Sequence, residues 1–336
     1  MPPMLGYIAS HEQFPVPLLL ETTALAEQAG FDAMWASDHF HPWQDNQGHA
    51  GHAWITLAAL TQRTRALTLG TGVTCPTFRN NPAIVAQAFA SLGVLAPGRV
   101  FLGVGTGEAL NEVPSGGGWG RYAERSTRLI EAITIIRSLW EQEWVSYHGT
   151  YHHIEQARIY DKPSQPIPIY IAAGGPKSGH LAGQHGDGLV TVGGVFGERG
   201  TKVLSAFEEG ARAAGKDPAT MARLVEVFVV LGDEEEALPA ARLWQFSGAV
   251  EGLFDVPDPR EIQRLAEERT TPQAAMRSWI ISPDPAVHAA ALVEIANQGF
   301  THLFIHATQQ DQRHFIEVYG QEVLPAVRRA TGAVTA

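Results

Sequence analysis

The feature that most constrains this chain is an alternation repeated along its whole length. Short β-rich runs are followed each time by a stretch with helical character. The runs are Met4–Ala9, Ala33–Ser37, Leu67–Val73, Val100–Val104, Ile167–Ala172, Gly188–Val192, Leu224–Leu231 and His302–His306. Several are apolar without interruption, as strands buried on both faces of a parallel sheet must be. Between them, Leu18–Gln28 stops at Gly30, a suitable C′ residue, and Tyr122–Trp140 sets Leu129, Ile133, Ile136 and Trp140 on one stripe. Pro285–Asn297 and His314–Val327 complete the helical set. Eight β units, each leading into a helix, predict an α/β protein with a (β/α)8 TIM barrel. A doubly wound sheet shares the alternation and is the second choice. Extra length falls after the fourth strand, about 106–166, and after the seventh, about 232–299. Both read as insertions in one barrel domain covering 1–336 rather than as separate domains.

Composition narrows the function. The 336 residues are 45% hydrophobic and 18% charged, which suits a globular chain, and the formal net charge is −11. That charge argues against nucleic acid or an anionic membrane as partner. No apolar run is long enough to span a bilayer, and the first residues lack the pattern of a signal peptide, so a cytoplasmic protein is expected. Cys75 is the single cysteine, which excludes an internal disulfide.

In a barrel, chemistry collects at the C-terminal ends of the strands. Ser10, His11, Glu12 and Gln13 follow the first strand, and Ser37-Asp38-His39-Phe40-His41-Pro42-Trp43 follows the second. The fourth leads into Gly103-Val104-Gly105-Thr106-Gly107-Glu108-Ala109-Leu110-Asn111-Glu112. The fifth leads into Ala173-Gly174-Gly175-Pro176, and the sixth into Gly193-Gly194. A histidine at a barrel mouth can take a hydroxyl proton while a nearby carboxylate fixes its tautomer, so Asp38 and His39 are candidates, with Glu108 as a second proton handler. A surface histidine and a capping carboxylate are the alternative. The glycines let backbone approach a phosphate, or simply make tight turns; no G-x-G-x-x-G fingerprint or P-loop is complete. His39-x-His41 invites a metal, but the fifth and sixth strand ends carry no further ligand, so no metal is expected. Cys75 has no activating base and reads as a packed thiol or a cofactor neighbour.

Together, Ser37-Asp38-His39-Phe40 with Pro42-Trp43, Pro76-Thr77-Phe78-Arg79-Asn80, the string Arg99 to Glu112, Tyr170 to Pro176 and Asp311-Gln312-Arg313-His314-Phe315 resemble the deazaflavin-dependent glucose-6-phosphate dehydrogenases. These belong to the luciferase-like barrels. The resemblance runs from about Leu5 to the terminal helix. It implies hydride transfer from an alcohol carbon to coenzyme F420, an 8-hydroxy-5-deazaflavin, in a homodimer. It makes His39 the base, with Trp43 beside the developing charge and Glu108 managing the proton at the deazaflavin ring nitrogen. Asp38, the Gly72-Val73 bulge (a non-proline cis bond in the family), Cys75, Gly107, Asn111, Ala173, Gly174, Gly175, Gly193 and Gly194 would hold the cofactor. Glu12 would line the substrate pocket.

Departures from the family pattern bear on the substrate. The sugar-phosphate members clamp their phosphate with two lysines and an arginine. Alignment from Gly186-Asp187-Gly188 puts Val195 at one lysine position, and counting back from Asp258-Pro259 puts Leu253 near the other. Alignment on Trp279 puts Ser278 at the arginine position, beside Arg277. Cys75 stands where the family has threonine. A dianionic phosphate needs charge-assisted partners, so these changes, with Phe254, Trp244 and Phe246 in the same insertion, point to a neutral small-molecule alcohol. A secondary alcohol, a lipid hydroxyl and an unphosphorylated sugar all qualify. The alternatives are an F420-dependent sugar-6-phosphate dehydrogenase, an FMN-dependent luciferase-like monooxygenase and a non-catalytic relative.

Overall fold

The computed structural model describes residues 2–191 and 198–332. Its strands are β1 (Met4–Ala9), β2 (Ala33–Ala36), β3 (Thr68–Thr71), β4 (Val100–Val104), β5 (Ile169–Ala172), β6 (Gly188–Thr191), β7 (Ala222–Leu231) and β8 (His302–Ala307). All pair in parallel, β1 lying between β8 and β2, and the sheet closes where Gly188 of β6 registers with Ala222 of β7. The expected TIM barrel is the fold. The strands expected at Met4–Ala9 and Val100–Val104 have those bounds. β3 ends at Thr71, short of the expected Val73, and the Gly72–Val73 peptide that follows is cis.

The barrel's lower interior is sealed by Ile8, Trp35, Phe101, Val190, Leu224 and Phe304. Trp35 stacks on Phe304 with ring centroids 4.1 Å apart. Rings this large fit because Gly70 faces one of them: a Cβ there would come within 2.3 Å of the Phe101 ring. In a barrel of this kind chemistry collects above such a layer, at the C-terminal mouth.

The insertions cover that mouth. After β4 come the short helix Ala109–Glu112, the long helix Tyr122–Glu141 and an antiparallel hairpin of Val145–His148 with His153–Ala157. After β7, helices Glu234–Leu243 and Pro259–Arg269 lead to the strand Ile280–Ser282. That strand was not expected; it pairs with Val229–Leu231, using the length by which β7 outruns its barrel neighbours. This second insertion has its own apolar core, including Trp244, Phe246, Leu253, Ile262 and Trp279, and it takes in Trp43 and Leu110 from the loops after β2 and β4. The cap is thereby fastened to the mouth by apolar burial. No helix among the described residues is long and apolar enough to cross a membrane.

Candidate active site

Beneath the cap lies a cavity of 460 Å3. His39, Glu12, Trp43 and Glu108 all line it, as do Gly72, Val73, Gly107, Ala173, Gly174 and Phe254. These members of the sequence-based selection share one space, whereas Asp38, Cys75, Asn111, Gly175, Leu253 and Ser278 do not line it. Gly193, Gly194 and Val195 lie outside the described residues.

The geometry is organised by Asn111. Its Oδ1 accepts hydrogen bonds from the backbone N–H groups of Phe40 (2.8 Å) and His41 (3.4 Å). That fixes the amide, so Nδ2 is the donor to Glu108 Oε2 (3.0 Å) and to His39 Nδ1 (3.0 Å). The assignment follows from the network, since Nδ1 faces a donor and must accept. A neutral His39 then carries its proton on Nε2, which lies 3.3 Å from Glu12 Oε1. Asn111 is buried and does not line the cavity; instead of touching a ligand it aims the two residues that do.

Asp38 was expected to fix the His39 tautomer and to hold the cofactor. It does not reach the ring. Its carboxylate accepts from Thr74 Oγ1 (2.6 Å) and Trp54 Nε1 (3.2 Å) and pairs with Arg79 at 3.0 Å, behind the cavity wall. The orienting partner of His39 comes instead from 72 residues away.

Glu12 is buried. Burial is the largest influence on it and opposes ionisation. The nearby His39 ring, the Ser37 hydroxyl at 2.5 Å, its own backbone N–H and His306 together outweigh burial, and its pKa lies below the ordinary value. Glu112, behind the wall with Arg79, shows the opposite balance. Burial raises its pKa to about 7 despite the Arg79 N–H at 2.8 Å, and its Oε1 has no hydrogen-bond partner. Cys75 is buried beside Thr77 with its Sγ 2.8 Å from the hydroxyl, and burial pushes its pKa well up. It is a packed thiol that does not line the cavity. Its sulfur bears on the site indirectly: Gly107 has φ +84°, and a Cβ there would meet that sulfur at 2.5 Å.

Gly175 stands at the N-cap of helix Pro176–His185 and off the cavity, while Ser178 in the first turn lines it. Of the positions aligned with a phosphate clamp, Leu253 is buried in the cap core without reaching the cavity, and Ser278 and Arg277 are exposed. Trp43 stacks on Phe246 at 4.6 Å and meets Phe254 edge-on at 5.4 Å, so this wall is aromatic.

Sequence reasoning missed Glu226, His306, Tyr122 and Arg125, all of which line the cavity. The first two carried a signal. Glu226 is a charge inside an apolar β run, and His306 closes the last strand. Arg125 carried none: it sits on an amphipathic helix and reaches the mouth only because Asp255 (3.9 Å), the Gly120 carbonyl (2.8 Å) and the face of Trp119 (3.8 Å) hold it there.

The family model for luciferase-like monooxygenases matches residues 4–302. The chain belongs to the luciferase-like family. Among luciferase-like proteins it is 46% identical over 323 residues to the F420-dependent hydroxymycolic acid dehydrogenase of Mycobacterium tuberculosis, covering 96% of this chain and 88% of that one. It is 45% identical over 332 residues to the F420-dependent glucose-6-phosphate dehydrogenase of Microbacterium testaceum, covering 98% of each. A solved structure of an F420-dependent secondary alcohol dehydrogenase, in complex with an F420-acetone adduct, superposes with TM-score 0.90 at 35% identity, over 98% of this chain and all of that one.

Proposed function

We propose that this luciferase-like protein is an F420-dependent dehydrogenase that oxidises a neutral alcohol, with Glu12 and His39 handling the hydroxyl proton and Glu108 a cofactor proton. The carrying observation is the Asn111 amide, which holds His39 and Glu108 from one buried group at the rim of a shared cavity. Relatives of 46%, 45% and 35% identity that are named for F420 and for hydroxyl-bearing substrates support it.

The site fits the cofactor. One side of the cavity is Gly72, Val73, Gly105, Gly107, Ala173 and Gly174, with little side chain to obstruct a planar ring. A Cβ at Gly174 would meet nothing within 4 Å among the described residues. Bound there, the deazaflavin supplies a hydride acceptor. The chain's own residues do the rest. His39 donates from Nε2–H to the alcohol oxygen, which orients the hydroxyl. Glu12, within reach of the same nitrogen, accepts the proton as the carbon is oxidised. The sequence reading gives the base role to His39; we divide it between His39 and Glu12 because Asn111 occupies Nδ1. Glu108, oriented by Asn111, would hold the carboxyl group available to a ring nitrogen of the cofactor. Trp43, Phe246 and Phe254 exclude water from the oxygen and receive the hydrocarbon part of the substrate.

A neutral substrate is favoured over a phosphosugar because the cation lining the cavity among the described residues, Arg125, is already engaged by Asp255 and Trp119. We read the chain as one barrel domain, cytoplasmic and homodimeric; sedimentation and cell fractionation test the last two. The function is tested by fluorescence titration with F420 and with FMN, then by bleaching of the F420 band with 2-propanol, cyclohexanol, glucose and glucose 6-phosphate. Tighter binding of FMN would overturn the cofactor. A kcat/KM highest for glucose 6-phosphate would overturn the substrate class.

A further inference from the structure

Glu226 and His306 play no part in the proton handling above, yet they are built into the cavity. On β7 and β8 the residues one step down, Leu224 and Phe304, belong to the sealed barrel interior. Glu226 and His306 are the next inward layer, and both line the cavity. Register places Glu226 beside Phe304 and His306 beside Phe228, so the two side chains come from adjacent strands. His306 Nδ1 lies 2.7 Å from Glu226 Oε1. The imidazole is clamped by Phe228, at 4.4 Å between centroids, and by Trp244, edge-on at 4.7 Å. Trp244 is itself fixed by its Nε1–H, which donates to Gln13 Oε1 at 3.0 Å.

A buried polar group is normally satisfied on every side. His306 is not: the residue is 2% exposed, and its Nε2 has no hydrogen-bond partner among the described residues. Glu226 Oε1 accepts a hydrogen bond from Nδ1–H, so in the neutral ring Nε2 carries a lone pair with no donor among the described residues. This is the reverse of His39, where Asn111 occupies Nδ1 and leaves the proton on Nε2. The cavity thus holds one histidine able to donate and one able to accept. Glu12 is the charged group between them and cannot supply a donor while ionised.

We propose that His306 is a ligand-binding residue whose Nε2 accepts a hydrogen bond from an O–H or N–H of the molecule held in the cavity, with Glu226 as its positioning residue. The donor is the hydroxyl of the alcohol or a ring N–H of the deazaflavin. The proposal rests on the F420 reading and sharpens it by giving the strand 7 and 8 side of the cavity a polar anchor.

The test begins with F420 binding to the wild-type protein, followed by fluorescence. Absence of binding would remove the F420 reading and this inference with it. With binding established, His306→Phe keeps the ring volume and removes the acceptor. Loss of a hydrogen bond to a buried, charge-assisted group corresponds to roughly 10- to 100-fold. If the alcohol is the donor, kcat/KM for cyclohexanol falls by that factor and the F420 Kd stays within two-fold. If the cofactor is the donor, the F420 Kd rises by that factor instead. Glu226→Gln should move the same quantity in the same direction by less. Both quantities within two-fold of wild type in a folded His306→Phe would overturn the proposal. Should that variant fail to fold, 15N NMR of histidine-labelled wild-type protein decides. The Nε2 resonance of His306 is expected to shift on addition of F420 or of cyclohexanol to the F420 complex, and no shift with either would overturn the proposal.

Discussion

The two sides of the cavity are made by opposite means. The side built from the ends of β1, β2 and β4 is polar and held by directional bonds: Glu12, His39, Asn111 and Glu108 form one hydrogen-bonded and ion-paired chain. The side built by the insertion after β7 is aromatic and held by packing, with Trp43, Phe246, Phe254 and Trp244 in mutual ring contact. The first side can set protons and orientation, because a hydrogen bond fails when an atom moves by a few tenths of an ångström. The second can set only size and polarity, because apolar contact is non-directional. Changes on the polar side should therefore alter kcat, and changes on the aromatic side should alter the choice among substrates.

The strongest test of that contrast is His39→Ala. It should lower kcat for 2-propanol by about 100-fold or more. The F420 Kd should stay within a few-fold, because the proposed role of His39 is toward the alcohol and not the cofactor. Turnover near the wild-type rate would show that the hydroxyl proton is handled elsewhere.

Next comes Asn111→Asp. The carboxylate can still accept from the Phe40 and His41 N–H groups, but it cannot donate to His39 Nδ1 and it repels Glu108. Steady-state kinetics should show kcat reduced on the order of 10- to 100-fold, the scale of one misdirected acid–base group. Asn111→Ser, too short for either partner, should fall in the same range. Normal kcat in both would break the idea that one amide aims the polar side.

Glu112 tests whether burial extends behind that side. Its folded value of about 7 lies above the ordinary 4.5, so the folded protein binds this proton more tightly than the unfolded chain. The resulting stability is complete below about pH 4.5 and is lost as pH rises towards 7. Glu112→Gln carries no such proton. Its unfolding free energy relative to wild type should therefore rise by about 2 kcal/mol between pH 5 and 7.5. Paired denaturant titrations measure this, and a difference independent of pH would show the carboxylate ionised throughout.

The smallest effect belongs to the aromatic side. Phe246→Ala removes the ring stacked on Trp43. The kcat/KM for cyclohexanol should fall several-fold relative to that for 2-propanol, as expected from losing apolar contact worth roughly 1 kcal/mol. Equal losses for both alcohols would mean that the wall does not touch the larger substrate.

How much of this was legible in sequence follows the same division. The barrel was, because strands buried on both faces leave a run of apolar residues that neighbours in the chain reveal. The positions of His39, Glu108 and the glycines that line the cavity were too, because a barrel puts its chemistry where its strands end. Glu226 could have been found by the same rule, as a carboxylate in an apolar run. The added strand Ile280–Ser282 could not, since its three residues acquire strand character only by lying against the far end of β7.

What the sequence determined by itself was therefore local in origin: periodicity, strand ends, and the residue types available at each. Only the tertiary structure decided what each polar group does. Asp38 adjoins His39 in the chain yet serves Arg79 and Thr74, whereas Asn111 lies far along the chain and fixes the imidazole. The pairing of Glu226 with His306 spans 80 residues in the same way. A tautomer depends on which atom stands within about 3 Å of a nitrogen, and that distance is set by strand register and packing between segments remote in sequence.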